Sequence, residues 1–332
     1  MSKTYLIAEM ACSHEGKIDL AKKIITSAGE ANADAIQFQI WQAKNIMSPQ
    51  HKSFGVLKRI ELTYEKWREL YNFSKMNYPC MDVIACVYDI DSINFCMDLD
   101  VDAYKIHCSD ITNPIVIKTV ASTQKRIDLS IGGSNADEIQ QCIEWIKEIS
   151  NADIWLMYGL QHFPTPIDDI CLEYMRNISK YYKLPIGYQD HSDPVDPAAF
   201  WLPAAAISSG IKIIEKHLTH DRSFKGVDHE AALNPDEFLR FAKMIRGLDT
   251  SNVPMIFPRE LSESEKKYRA YSRKSIVLAN DLPAGRKIVR NDLLFLRSDE
   301  MGIAPVCIQE VIGRELNRPL KAYAVLTEEV LL

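Results

Sequence analysis

Two apolar runs that end in polar clusters decide the fold of this chain: Pro185-Ile-Gly-Tyr-Gln-Asp-His-Ser192 and Ile211-Lys-Ile-Ile-Glu-Lys-His-Leu218. The Ala-rich stretch between them, residues 197–210, is typical of a helix that ends at a glycine. A strand, a helix and a strand in this order predict two neighbouring parallel strands. The polar clusters then lie at the same end of the two strands, where α/β proteins carry their chemistry.

Each polar cluster contains one histidine, His191 or His217. A single histidine at a strand end is more often a structural residue than a ligand. Two histidines at the ends of adjacent parallel strands could instead bind one divalent metal, because neutral imidazole is a common ligand for such ions. The sequence leaves two interpretations open: the two histidines bind one metal ion, or both are structural residues.

Further apolar runs extend this pattern along the chain. They predict strands at residues 5–8, 35–39, 81–87, 103–106, 127–131 and 154–157, each followed by a helical pattern or a long polar segment. With the two strands above, the count is eight. Eight such units in about 250 residues predict a (β/α)8 TIM barrel. An open doubly wound sheet is the alternative, but no Gly-rich nucleotide-binding motif follows the first strand.

The pattern changes after the last barrel helix. We predict a barrel over residues 1–249, a linker over residues 250–267 that contains Pro254 and Pro258, and a compact β-rich module over residues 268–332. A module of this size buries only a modest core on its own, so we expect it to dock on another surface.

Composition excludes several classes of function. The chain has 332 residues, a net charge of −6 and 47% hydrophobic residues. This balance gives no support for a nucleic-acid or membrane-surface partner. We expect a cytoplasmic protein, because the first residues form a strand pattern without a signal peptide. The eight cysteines lack metal-binding spacing, and we expect them to be reduced thiols.

The predicted strand ends also carry charged side chains. Glu9, Asp190 and Lys216 could line a site for a polyhydroxylated or anionic substrate, or they could form a structural network at the mouth of the barrel. The sequence leaves both interpretations open.

Several ordered motifs resemble those of the sialic acid synthase family. Ile7-Ala-Glu-Met-Ala-Cys-Ser-His-Glu-Gly16 resembles its opening motif. Phe163-Pro-Thr-Pro166, Gly187-Tyr-Gln-Asp-His191, Ile214-Glu-Lys-His217 and Gly226-Val-Asp-His229 resemble its later motifs in the same order. Arg273-Lys-Ser-Ile-Val and Met301-Gly-Ile-Ala-Pro305 resemble its C-terminal antifreeze-like (SAF) domain. The resemblance covers nearly the whole chain.

The resemblance implies a chemistry. The family condenses phosphoenolpyruvate (PEP) with an N-acyl-mannosamine or a related aldose, which gives a 2-keto-3-deoxy sugar acid and phosphate. By resemblance, His191 and His217 would bind a divalent cation, with Mn²⁺ expected first and Mg²⁺ or Co²⁺ as alternatives. The cation would polarise the sugar aldehyde. The family also implies a domain-swapped homodimer.

The resemblance also assigns roles to individual residues. The catalytic candidates are Glu15, Lys105 and Asp228. The substrate-binding candidates are Gln39, Asp110, Ser130, Gln161, Phe163, Tyr271 and Arg297. Asp110 stands where a glutamate is usual, Gln161 and Phe163 replace an asparagine and a tyrosine, and Tyr271 stands for a phenylalanine. Tyr271 and Arg297 would close the site of the partner protomer.

The departures from the family concentrate on the PEP side. They are Gln37 for a lysine, Cys86 and Cys108 for hydroxyl donors, and Gln189 for a serine. Hydrogen bonds to charged groups are worth about 1.5–3 kcal/mol each, so the loss of two could weaken anion binding by roughly a hundredfold or more. His107 could compensate in part if it were protonated.

Three functions therefore remain open. The first is a PEP-dependent synthase of a sialic-acid-like sugar acid. The second is a diverged enzyme with another three-carbon partner, such as an aldolase or lyase acting on a keto sugar acid. The third is a non-catalytic sugar-binding paralogue.

Overall fold

A computed structural model describes residues 3–252 and 257–332 of the chain. The chain divides into two compact units, Met1–Val253 and Pro254–Leu332. The division falls within the predicted linker, of which residues 253–256 lie outside the described residues. The predicted bounds at residues 249 and 268 stay predictions.

Eight parallel strands form a closed barrel in the first unit, and each pairs with its neighbours in chain order. The strands are β1 Tyr5–Glu9, β2 Ala35–Ile40, β3 Asp82–Val87, β4 Ala103–Ile106, β5 Arg126–Ser130, β6 Ile154–Tyr158, β7 Ile186–Asp190 and β8 Ile213–His217. β1 closes the barrel by pairing with β8, which places Glu9 beside His217. The structure confirms the predicted TIM barrel.

Helices surround the barrel and cover its outer face. They are α1 Ile18–Glu30, α2 Ala43–Ile46, α3 Phe54–Ile60, α4 Tyr64–Asn77, α5 Ile90–Leu99, α6 Pro114–Ser122, α7 Ala136–Ile149, α8 Leu172–Tyr182, α9 Ala198–Ser208 and α10 Pro235–Ser251. α2 and α3 lie in the segment after β2 that the sequence presents as a polar excursion. Within the described residues, none of the helices is long and apolar enough to cross a membrane.

The inside of the barrel changes from apolar to polar along the strands. Its lower layer is a separate apolar cluster of small and branched side chains: Ile7, Ala35, Ile84, Ala103, Met157 and Ile213. Successive side chains in a strand alternate between faces, so residues two positions further on point inward as well. Those residues are polar or thiol-bearing: Glu9, Gln37, Cys86, Lys105 and Glu215. The apolar layer therefore supports a polar layer nearer the C-terminal end.

The second unit has its own small core. β9, Ser275–Leu278, pairs antiparallel with β10, Leu293–Leu296, and short turns and the helix α12, Ile308–Val311, complete the unit. A further helix, α11, spans Glu263–Ser272 and begins at a capping box formed by Ser262 and Glu265. The sequence had assigned this region to the linker and to the start of the β-rich module.

Asp190 and Lys216 form a structural ion pair on the outer face of the barrel. Lys216 Nζ lies 2.8 Å from Asp190 Oδ2, and both side chains are fully buried. The Tyr188 hydroxyl donates to the other carboxylate oxygen. Since Tyr188 packs in the core between sheet and helices, this network faces away from the barrel interior. Asp190 and Lys216 therefore form a structural network and do not line a substrate site. Glu9, in contrast, points into the barrel.

We predict that Lys216→Ala destabilises the barrel by about 3–5 kcal/mol, because it leaves the buried Asp190 carboxylate without its cation. The five tryptophans all lie in the first unit, so urea denaturation followed by their fluorescence reports on the barrel. The matched control is Lys118→Ala, which removes an exposed ion pair with Glu148 and should cost under about 1 kcal/mol. Equal losses in the two variants would contradict a structural role for the buried pair.

Candidate active site

A cavity of about 280 Å³ opens at the C-terminal end of the barrel strands. Ten of the residues singled out from the sequence line it: Glu9, Gln39, Lys105, His107, Gln161, Phe163, Gln189, His191, His217 and Asp228. The remaining lining residues are Cys12, Leu57, Tyr88, Glu215 and Val227. The cavity therefore collects polar groups from strands that are far apart in sequence, as expected for a TIM-barrel site.

The floor of the cavity is a lysine between two glutamates. Lys105 Nζ lies 2.6 Å from Glu215 Oε1 and 3.9 Å from Glu9 Oε2, and all three side chains are buried. Burial raises the pKa of Glu9 to about 8, although Lys105 acts in the opposite direction. At neutral pH the Glu9 carboxyl group therefore mainly keeps its proton.

The positions that the resemblance assigns to PEP are short of charged donors, and two of them, Gln37 and Cys86, lie outside the cavity lining. Gln37 is fully buried, and both atoms of its amide group lack a hydrogen-bond partner. Burial raises the pKa of the Cys86 thiol to about 12, which keeps it neutral. Ser130 is buried below the cavity and donates to Gln189 Oε1 at 3.0 Å. Lys105 is the one Lys or Arg among the residues that line the cavity in the described part of the chain.

The two predicted metal ligands lie side by side. The rings of His191 and His217 have centroids 5.1 Å apart, and the Phe163 ring packs against His191 at 4.4 Å. Burial lowers the pKa of both imidazoles, and that of His217 is lowered further by the adjacent His191. Both rings are therefore neutral at neutral pH, which is the form that binds a metal.

The hydrogen bonds of these histidines fit a metal site. His191 Nδ1 lies 2.8 Å from the Leu160 carbonyl oxygen, to which it can only donate, so the lone pair is on Nε2. His217 Nδ1 is buried without a partner. Among the described residues no group of three or more His, Cys, Asp or Glu side chains could hold an ion. The chain thus offers two nitrogen ligands, and a bound ion would keep positions open for substrate and water oxygens.

Asp228 contributes a further carboxyl group to the lining of the cavity. Burial raises the pKa of Asp228 to about 6, while hydrogen bonds from Cys12 act in the opposite direction. The Glu15 carboxylate is near the cavity but contacts His229 Nε2 at 3.3 Å, and it packs against the backbone of Gly226, where a Cβ would clash with it. Asp228 is therefore placed to exchange protons at neutral pH.

The other predicted site residues lie outside the cavity lining. Cys108 and Asp110 belong to the short turn after β4, where Asp110 accepts from the Asn113 side chain at 2.9 Å. Tyr271 and Arg297 are exposed residues of the second unit. Their role in closing the site of a partner protomer stays a prediction.

Sequence reasoning missed the role of Glu215 and considered His107 only as a protonated group. Glu215 lies inside the quoted segment that ends at His217, and the period of two along β8 places it on the same inner face. His107 follows β4 two residues after Lys105 and lines the cavity. The same strand period could have identified both residues.

We predict that Glu9 makes barrel stability fall as the pH rises. The folded state holds a proton at Glu9 up to about pH 8, whereas the group titrates near 4.5 in the unfolded chain. The stabilisation is complete below pH 4.5 and is lost through pH 8, with a slope of at most about 1.4 kcal/mol per pH unit. Urea denaturation from pH 4.5 to 9 should show this decline relative to Glu9→Gln.

The matched control is Glu148→Gln, which changes an exposed carboxyl group on α7. Its stability should follow the wild type at every pH. If wild type and Glu9→Gln lose stability in parallel, the raised pKa of Glu9 is wrong.

Comparison with known proteins agrees with this geometry. The model of the NeuB family matches residues 24–253, and that of the SAF domain matches residues 273–331. The N,N'-diacetyllegionaminic acid synthase of Legionella pneumophila is 30% identical, with 96% of this chain and 92% of that protein covered. The human N-acetylneuraminate-9-phosphate synthase is 26% identical, with 94% and 88% covered.

A solved structure is also similar. The N-acetylneuraminic acid synthetase of Leptospira borgpetersenii, in complex with citrate, superposes with a TM-score of 0.72 at 26% identity and covers 80% of this chain and 91% of that one. The family model spans most of the barrel, and the relatives cover nearly the whole chain, in agreement with the resemblance found in the motifs. This chain therefore belongs to the NeuB family and carries a C-terminal SAF domain.

Proposed function

We propose that the chain is a sugar-acid synthase that condenses PEP with an N-acyl-mannosamine or a related aldose. The observation that carries the proposal is the pair of neutral imidazoles, His191 and His217, beside a buried lysine in one cavity of about 280 Å³. The two histidines suit a metal-bound carbonyl group, and the lysine suits an anionic group. The names of two relatives, N,N'-diacetyllegionaminic acid synthase and N-acetylneuraminate-9-phosphate synthase, support the same assignment.

In this proposal the sugar aldehyde lies toward the two histidines. A divalent cation bound there, Mn²⁺ in the first instance, supplies Lewis acidity to the carbonyl. Gln39 and Gln161 line the cavity and offer amide groups to sugar hydroxyls. Phe163 packs on both imidazoles, which fixes their orientation and covers them from solvent.

Lys105 holds the anionic groups of PEP on the floor of the cavity. C3 of PEP forms a bond to the aldehyde carbon, and water adds at C2. Loss of phosphate from that carbon leaves the 2-keto acid. Asp228, with a pKa of about 6, supplies the proton that the former aldehyde oxygen takes up, and the proton that water releases on adding at C2 restores the acid. The remaining proton of the C2 hydroxyl leaves with the phosphate as the C–O bond breaks.

The direct test is turnover with Mn²⁺, PEP and a panel of N-acyl hexosamines, with and without a phosphate on the sugar. We expect release of phosphate in step with formation of a keto sugar acid for at least one sugar. Phosphate release that needs no sugar, or none with any sugar, would contradict the proposal.

One observation favours a second candidate. The unpartnered amide of Gln37 and the single cation on the cavity floor would suit a donor with less negative charge than PEP, such as pyruvate. The chain would then act as a metal-assisted aldolase or lyase on a keto sugar acid. Cleavage of such an acid to pyruvate and an aldose, without turnover of PEP, would establish this candidate.

The metal assignment has its own test. His217→Ala should lower Mn²⁺ affinity at least a hundredfold, because one of two protein ligands is lost, and turnover should fall with it. Calorimetric titration with Mn²⁺ measures binding independently of activity. His51→Ala, which changes an exposed histidine, is the matched control. Unchanged Mn²⁺ affinity in His217→Ala would refute the assignment.

Gln37→Lys tests whether the part of the pocket assigned to PEP lacks only a positive charge or is shaped for another ligand. A cation at this buried position should strengthen PEP binding about tenfold if the pocket still accepts the donor, because a charged hydrogen bond is gained. Gln140→Lys, on the exposed face of α7, controls for added net charge. Weaker PEP binding in Gln37→Lys would show that the pocket is shaped for another ligand.

A further inference from the structure

His107 is the cavity residue whose function the preceding sections leave open. It directly follows β4, two residues after Lys105, so the two side chains share the inner face of the barrel. Both line the same cavity. The Tyr88 ring, which also lines the cavity, packs against the imidazole with ring centroids 5.4 Å apart. The ring therefore has a fixed place in the wall beside the buried lysine.

The hydrogen bonds of His107 define its tautomer. The backbone N–H of Ser109 donates to Nδ1 at 3.2 Å, and the Ser109 hydroxyl lies 2.9 Å from the same atom. A backbone amide can only donate, so Nδ1 carries the lone pair and the ring proton of the neutral imidazole is on Nε2. Within the described chain the polar contacts of the His107 side chain are all made through Nδ1. The Nε2–H group is therefore available to a ligand.

The ring is also neutral. Burial and, to a smaller extent, the nearby Lys105 lower the pKa of His107 to about 4. The imidazole is therefore a permanent neutral donor above about pH 5. This corrects the earlier suggestion that a protonated His107 compensates for the lost lysine: it can compensate as a hydrogen-bond donor, and it brings no charge.

The surroundings indicate what this donor binds. An anion at Lys105 needs several donors, and the neighbouring positions that the resemblance assigns to hydroxyl groups carry the thiols of Cys86 and Cys108, which donate weakly. Cys108 Sγ itself lies 3.9 Å from His107 Nδ1. An imidazole N–H is a much better donor to a carboxylate or phosphate oxygen than a thiol.

We propose that His107 Nε2–H donates a hydrogen bond to the anionic group of the three-carbon substrate held at Lys105, in place of the missing hydroxyl donors. His107 is then a residue that binds and selects the three-carbon substrate, and the sugar is bound elsewhere in the cavity. This inference rests on the proposed function, because it takes PEP as the anion.

Two substitutions separate the two ring nitrogens. Asn places its Oδ1 near the position of Nδ1, so His107→Asn keeps the acceptor for Ser109 and removes the donor at the Nε2 position. Gln places its amide nitrogen near the position of Nε2, so His107→Gln keeps the donor that the ligand would meet. A purely structural role through Ser109 predicts the reverse ranking of the two variants.

The measurement is calorimetric titration of the full-length protein with PEP in the presence of Mn²⁺ and without sugar. His107→Asn should bind PEP about tenfold to a hundredfold more weakly than the wild type, as expected for one lost hydrogen bond to an anion. His107→Gln should stay within about threefold of the wild type. Both variants should keep the wild-type unfolding temperature and the wild-type KM for the sugar.

The possible outcomes are distinct. If the wild type binds and turns over PEP but His107→Asn binds it equally well, the inference fails and the proposed function stands. Equal losses in both variants, or a change confined to the KM for the sugar, also overturn the inference. If the wild type binds no PEP, the inference and the proposed function fall together.

Discussion

The contact between Lys105 and Glu215 is the interaction on which the site depends. The two groups are 2.6 Å apart at the floor of the cavity, and both side chains are buried. A buried ion pair of this kind contributes little net stability, because the loss of hydration offsets the attraction. The apolar layer below it, with Ile7 and Ile213, must therefore supply the stability, and the pair is best understood as part of a binding site. In the proposed function, an anion held at Lys105 would lie in the same cavity as the two histidines.

The cavity has two parts that differ in their side-chain chemistry. On the carbonyl side His191, His217 and Phe163 pack together, and the hydrogen bond from His191 to Leu160 fixes one ring. On the anion side Gln37 is buried without partners, and a neutral His107 lies near Lys105. The carbonyl side has the two histidines that the resemblance led us to expect, with Phe163 in place of a tyrosine, and the anion side has neutral groups where the resemblance implied charged or hydroxyl donors. On the anion side, a substrate would therefore gain more of its binding energy from neutral hydrogen bonds than from ion pairs.

Much of this arrangement could be predicted from the sequence, because the fold itself brings strand ends together. The quoted segments with His191 and His217 were sufficient to predict adjacent parallel strands, and the order of the later motifs pointed to the family. The inward positions of Glu215 and His107 were equally accessible through the strand period of two. What the sequence could not supply were side-chain partners. That Asp190 pairs with Lys216 on the outer face depends on how two neighbouring strands pack, and which nitrogen of His107 accepts from Ser109 depends on the local side-chain conformation. The helix Glu263–Ser272 was missed although Ser262 and Glu265 have capping-box spacing, because no apolar stripe accompanies them.

The central claim is that one cavity holds a cation and an anion side by side, the first at two imidazoles and the second at Lys105. A crystal structure of the protein soaked with Mn²⁺ and PEP tests it most directly. The account predicts anomalous density for one ion between His191 and His217, with an anionic group of PEP in contact with Lys105 and His107. Manganese bound at other residues, or PEP lying away from Lys105, would contradict it.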